Sequence, residues 1–97
     1  MKLVRTVDAL RTVLDAKRSG ATVGLVPTMG ALHRGHVALF AVARRESDVV
    51  VATIFVNPAQ FSEPSDLDRY PRQEAADAAL AERAGVDVLF VPPVAEV

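Results

Sequence analysis

Pro27-Thr28-Met29-Gly30-Ala31-Leu32-His33-Arg34-Gly35-His36 follows directly on the apolar run Val23-Gly24-Leu25-Val26. The run reads as a short strand, the Pro- and Gly-broken stretch after it as a loop, and the residues from Gly35 to Glu46 as a helix. Strand, glycine loop and helix start form the arrangement in which α/β proteins hold phosphate, because the first N–H groups of a helix lack internal partners. None of His33, Arg34 and Gly35 is the Ser, Thr, Asp or Asn that ordinarily caps a helix, so the tip is expected to stand open to an external anion. Gly30 and Gly35 would let the backbone approach closely. His33 and His36 would donate hydrogen bonds to phosphoryl oxygens, more strongly as charge builds in a transition state. Two other readings fit the same residues: a tight turn with Gly35 as N-cap and the histidines in solvent, and a zinc pair completed by carboxylates or by another chain.

Outward from this stretch the chain alternates. Val7, Leu10, Val13 and Leu14 recur at helical spacing from Val7 to Arg18, with Thr6 as N-cap and Gly20 as stop. Thr22 to Val26 is the first strand. The second helix, Gly35 to Glu46, turns Val37, Phe40 and Ala41 to its apolar side and carries Arg44 and Arg45 in its last turn. Val49 to Val56 is β-branched without alternation, which predicts a parallel strand covered on both faces. A third helix is expected from Pro71 to near Gly85, and a third strand over Val86–Val91, stopped by Pro92-Pro93. The order αβαβαβ predicts a Rossmann-like parallel sheet with right-handed crossovers. The sequence stops almost as soon as the third strand does, whereas a ligand crevice needs strands on both sides of a reversal in strand order. The expectation is therefore an incomplete sheet.

Bulk composition narrows the function. The 97 residues are 51% apolar, which is ample for a core, and the 11 basic and 12 acidic side chains leave a net charge of −1. No field of one sign favours nucleic acid or an anionic membrane. The sequence has no cysteine, which removes disulfides and thiolate metal sites and fits a reducing cytoplasm. The longest apolar run, Val49 to Val56, is far short of the roughly 20 residues that a membrane-spanning helix requires.

A second region of interest is the polar loop that begins at Asn57-Pro58-Ala59-Gln60-Phe61 and runs to about Tyr70. It leaves the C-terminal end of a central strand, on the same sheet edge as the histidine loop, and long loops in compact domains are often functional. Asn57 and Gln60 offer neutral amides suited to orienting a carboxylate or hydroxyl. The plainer reading is that Asn57-Pro58 only ends the strand. Thr28 and Met29 would line the floor of a pocket where the first strand ends, although methionine there is ordinarily packing.

Taken together, Pro27 to His36, Ile54-Phe55-Val56-Asn57-Pro58-Ala59-Gln60-Phe61 and Asp66-Leu67-Asp68-Arg69-Tyr70-Pro71-Arg72 closely resemble the pantoate–β-alanine ligases (pantothenate synthetases). His-x-Gly-His alone marks the broad nucleotidyl transferase superfamily; Asn-Pro-x-Gln-Phe followed by Tyr-Pro-Arg is far more selective. The resemblance implies a two-step ligation, in which pantoate and ATP give pantoyl-adenylate and pyrophosphate, with Mg2+ on the phosphates, and β-alanine then displaces AMP. It further implies that Met29, Gly30, Ala31, Leu32, His33, Arg34, Gly35 and His36 form an ATP-binding segment. His36 would be the catalytic proton donor with His33 beside it. Gln60, with Met29 and Asn57, would contact pantoate and β-alanine, and no protein metal site is implied. The resemblance also implies a homodimer, the usual state of family members, while the composition leads us to expect a cytoplasmic protein without nucleic-acid or membrane partners. They continue through further strands, a second glutamine on pantoate, a nucleotide loop and a small C-terminal domain. Residues 1–97 would thus be the N-terminal portion of the nucleotide-binding domain, inactive alone. The alternatives are another nucleotidyl transferase of the superfamily and a non-catalytic nucleotide-binding or assembly fragment.

Overall fold

The computed structural model describes residues 1–17, 19–56 and 73–93. Their elements are β1 (Lys2–Val4), α1 (Val7–Lys17), β2 (Val23–Thr28), α2 (Arg34–Glu46), β3 (Val49–Ile54), α3 (Glu74–Arg83) and β4 (Val88–Phe90). The four strands form one parallel sheet in the order β1-β4-β3-β2. The Rossmann-like sheet expected from the alternation is present, with one strand more than the sequence led us to expect. β1 is three residues long and pairs Leu3 with Leu89 at the sheet's margin; so short a segment offers no periodicity to read.

β3 shows why its β-branched run lacks alternation. Val49 and Val51 join Val4, Leu14, Val88 and Phe90 in a core beneath α1. Val50 and Ala52 join Val26, Phe40, Ala81 and Leu89 in a second core beneath α2 and α3. Helices cover both faces, so both sets of side chains leave water. Phe40, fully buried, is among the largest side chains in the second core. The expected companions of Phe40 on the apolar side of α2 are corrected: Val37 and Ala41 are exposed, and Ala43 packs inward in their place.

Boundaries shift for local reasons. β2 runs on through Pro27 to Thr28, two residues past the expected end. Pro27 can stand there because β2 is at the sheet's margin among the described residues, where a missing N–H breaks no ladder. α1 begins as expected, the Thr6 hydroxyl accepting the Ala9 N–H at 3.1 Å. The third helix is observed only as Glu74–Arg83, and its expected start at Pro71 lies outside the described residues.

The end of the sheet remote from the histidine loop is clamped by Arg44. Its guanidinium donates to Asp87 Oδ2 at 2.6 Å, to the Gly85 carbonyl at 3.1 Å and to the Ser47 carbonyl at 3.1 Å, and also reaches the Asp48 carbonyl. Asp87 in turn accepts the Val50 N–H at 2.8 Å. The sheet's other end is thereby left for the loops that follow β2, β3 and β4.

Candidate functional site

The loop after β2 is held from inside the protein at each successive residue. Thr28 donates its hydroxyl to the Thr53 carbonyl at 2.8 Å and accepts the Gly30 N–H at 3.2 Å. Gly30 and Ala31 then adopt left-handed conformations, with φ of 86° and 52°. This turns two successive N–H groups, those of Ala31 and Leu32, to one side. Such a concavity attracts anions, and Asp77 of α3 fills it. Its Oδ2 accepts from Ala31 at 3.0 Å and its Oδ1 from Leu32 at 2.8 Å. A side chain at Gly30 would strain this geometry, since its φ is left-handed and a Cβ there would lie 3.1 Å from Ile54 Cγ2 and 3.2 Å from Asp77 Oδ2.

The helix tip corrects the expectation of an open anion site. His33 is the N-cap of α2: its Nδ1 accepts the Gly35 N–H at 3.0 Å, while His36 Nδ1 accepts the His33 N–H at 3.1 Å. The two imidazoles thus form a reciprocal capping box, the role that Ser and Glu more often fill. The His33 carbonyl takes the His36 and Val37 N–H groups. Gly35 is therefore not the N-cap. It is the residue over which the His33 ring folds, and a Cβ on it would sit 2.9 Å from His33 Cε1.

This capping fixes the tautomers. A nitrogen that accepts an N–H carries no proton of its own, so each neutral ring bears its hydrogen on Nε2. No described residue holds either Nε2. The rings lie 4.3 Å apart, centre to centre, and present paired N–H donors at the end of the helix. Burial holds His36 below the usual imidazole pKa of 6.5; the neighbouring His33 adds to the lowering and the Asp77 charge opposes it.

Beside the loop, a pocket of about 220 Å3 opens at the C-terminal edge of the sheet. Met29 and Gly30, Ile54 to Val56 and Val91 to Pro93 line it from the three strands, and Gln73, Glu74 and Asp77 close it from the start of α3. Glu74 is engaged by a two-pronged pair with Arg5, at 2.9 and 2.7 Å, and the hydrogen bond from Arg5 lowers the Glu74 pKa. The pair is about half exposed, so its value lies in aligning α3 with the end of β1 more than in stability. Met29 and Gly30 thus line the pocket from the loop, whereas His33 and His36, further along the chain, do not line it. Ala31 and Leu32 face Asp77, and Leu32 is buried. Arg34 opens α2 and is exposed. Asn57 and Gln60 lie outside the described residues. Among the described residues there is no cluster of three His, Cys, Asp or Glu that could hold a metal ion.

Asp77 is the site residue that sequence reasoning missed. Its one signal is position: Asp77 precedes the buried Ala81 by one helical turn, so an acid occupies the inward face of α3.

The family model for pantoate-β-alanine ligase matches residues 2–97. The chain belongs to the pantoate-β-alanine ligase family. It is 53% identical, over its whole length, to a pantothenate synthetase of Listeria monocytogenes, and covers 34% of that protein. It is 55% identical over 99% of its length to a pantothenate synthetase of Agrobacterium fabrum, of which it covers 33%. Among solved structures, the pantothenate synthetase of Thermus thermophilus superposes with a TM-score of 0.89 at 53% identity, over 99% of this chain and 33% of that one. The pantoate-β-alanine ligase of Francisella tularensis, complexed with Beta-gamma ATP and β-alanine, gives 0.93 at 38% identity, over 99% of this chain and 37% of that one. The chain thus spans about a third of the length of these ligases.

Proposed function

We propose that these residues form the N-terminal part of the nucleotide-binding domain of a pantoate-β-alanine ligase, and that the complete protein joins pantoate to β-alanine through pantoyl-adenylate. In the first step a pantoate carboxylate oxygen attacks the α-phosphorus of ATP and pyrophosphate leaves. In the second, the β-alanine amine attacks the acyl carbon, AMP leaves with the bonding electrons, and the ammonium loses a proton to solvent. The reading is carried by the capped histidine pair, which leaves both Nε2–H groups without a partner among the described residues and follows, in the same stretch of chain, the Met29 and Gly30 that line a pocket at the C-terminal edge of a parallel sheet. Negative charge that develops on the α-phosphate oxygens during attack is stabilised by such fixed donors, without reorganisation at the moment of reaction.

Because Asp77 fills the backbone concavity and His33 caps the helix, the imidazoles themselves are the anion donors of this segment. Met29 and Gly30 form the near wall for the acid, with Gln60 and Asn57 supplying amides to pantoate and β-alanine. Magnesium enters on the triphosphate, which is how this hard cation is usually held at nucleotide sites. The Francisella relative, solved with Beta-gamma ATP and β-alanine, supports this assignment of substrates. The complete protein acts as a homodimer in the cytoplasm, as the family resemblance implies.

Pantoate-dependent exchange of labelled pyrophosphate into ATP by the complete protein tests this reading. Exchange that requires pantoate supports it. Exchange with a different acid, or none, overturns it. In the same assay Gln60→Ala is expected to raise the KM for pantoate at least tenfold with that for ATP little changed.

A further inference from the structure

The loop that leads to the histidine pair is hydrogen-bonded to a side chain outside the motif. Asp77 is 3% exposed, and each of its carboxylate oxygens takes one of two successive N–H groups from a loop 45 residues earlier in the chain. We propose that Asp77 is a positioning residue of the ligase site, whose carboxylate clamps Ala31 and Leu32 and thereby sets where His33 and His36 stand relative to the pocket. The proposal rests on the ligase reading above.

Three observations support the clamp. Ala31 has φ of 52°, a region that residues with a Cβ rarely occupy, so the turn needs an external hold, and the two bonds to Asp77 supply it. The clamp then reaches the histidines without an unheld residue between: the Leu32 N–H is taken by Asp77, and the next, that of His33, by His36 Nδ1. Asp77 itself is fixed, because its own N–H donates to the Gln73 carbonyl at 2.9 Å in the first turn of α3, and Ala81 one turn later is fully buried. Asp77 also lines the pocket, so one carboxylate joins the pocket wall to the histidine loop. An acceptor at both oxygens is what the geometry uses. An asparagine would turn its NH2 group against one of the two N–H donors.

The test is steady-state and exchange kinetics on the complete protein, normalised to folded protein by circular dichroism. Asp77→Asn is expected to lower kcat by about 10- to 100-fold, the scale set by small misplacements of reacting groups, with KM for ATP within about threefold. Asp77→Glu keeps both oxygens but moves them by one methylene, and is expected to lower kcat several-fold with an unfolding midpoint near wild type. Nitrogen-15 spectra of the imidazoles give a readout independent of turnover: wild type shows His33 and His36 as Nε2–H tautomers, and Asp77→Asn a mixture. Unchanged kcat per folded molecule and unchanged ring spectra would make Asp77 a structural anchor only and overturn the proposal. Should Asp77→Asn not fold, Asp77→Glu decides in the same way. Wild-type protein without pantoate-dependent exchange defeats the ligase reading instead, and the ring spectra still decide the clamp.

Discussion

His33 and His36 each use one ring nitrogen to build the fold, and the proposed ligation would use the other for chemistry. Nδ1 of each accepts a backbone N–H, which closes the helix tip, and Nε2–H of each has no partner among the described residues. Gly35 is the residue that permits this, because the His33 ring lies where a Cβ would be. The group displaced by Gly35→Ala is a side chain, so the substitution should cost little stability, about 1 kcal/mol for a weakened cap. It should lower pantoate-dependent exchange by about two orders of magnitude, the cost of misplacing a transition-state donor; kinetics beside thermal unfolding separate the two. The same geometry sets a pH dependence. Protonation of His36 at Nδ1 would set a donor against the His33 N–H, and burial already holds its pKa below 6.5, with the neighbouring His33 adding to the lowering and the Asp77 carboxylate opposing it. The acid limb of kcat/KM should therefore lie below pH 6.5. Stability follows the same sign, since a depressed folded pKa gives a contribution present above 6.5 and lost as pH falls through the folded value. A stability curve rising on acidification through this window would contradict the tautomer assignment.

At the scale of elements, the strand, loop and helix around the motif were legible because their signals are local. The run before Pro27, the two glycines and the spacing of Phe40 with its neighbours give the order without reference to the rest of the chain. What escaped was whatever depends on a distant partner. β1 exists because Lys2–Val4 meets Val88–Phe90, and its three residues carry no pattern of their own. Asp77 matters because the loop is folded against it, and an acid in an alanine-rich helix reads as a solvated position until the loop is seen. The open helix tip was expected because capping preferences favour Ser, Thr, Asp and Asn, yet an imidazole with a free Nδ1 accepts an N–H equally well. Phe40 is the test of the element packing: it is fully buried among β2, β3 and α3 residues. Phe40→Ala should cost about 3–5 kcal/mol, measured by denaturant unfolding of the complete protein, and a loss below 1 kcal/mol would mean that α2 does not seat on the sheet as described.

At the scale of the whole molecule, the sheet faces two ways. Arg44 and Asp87 tie one end shut, and the loops after β2, β3 and β4 open a pocket at the other. β2 is at the sheet's margin among the described residues, with Leu25 62% exposed and Val23 38% exposed. The crevice of an open α/β sheet lies where strand order reverses, and β2 carries the histidine loop into that position if further strands follow on its free side. The chain covers about a third of its relatives, in keeping with this. A crystal structure of the complete protein with a non-hydrolysable ATP analogue and pantoate decides whether the histidine pair holds the nucleotide. Phosphate oxygens are expected within hydrogen-bonding distance of Nε2 of both His33 and His36, with Asp77 still clamping Ala31 and Leu32. Nucleotide bound elsewhere, with both rings turned away from it, would contradict it.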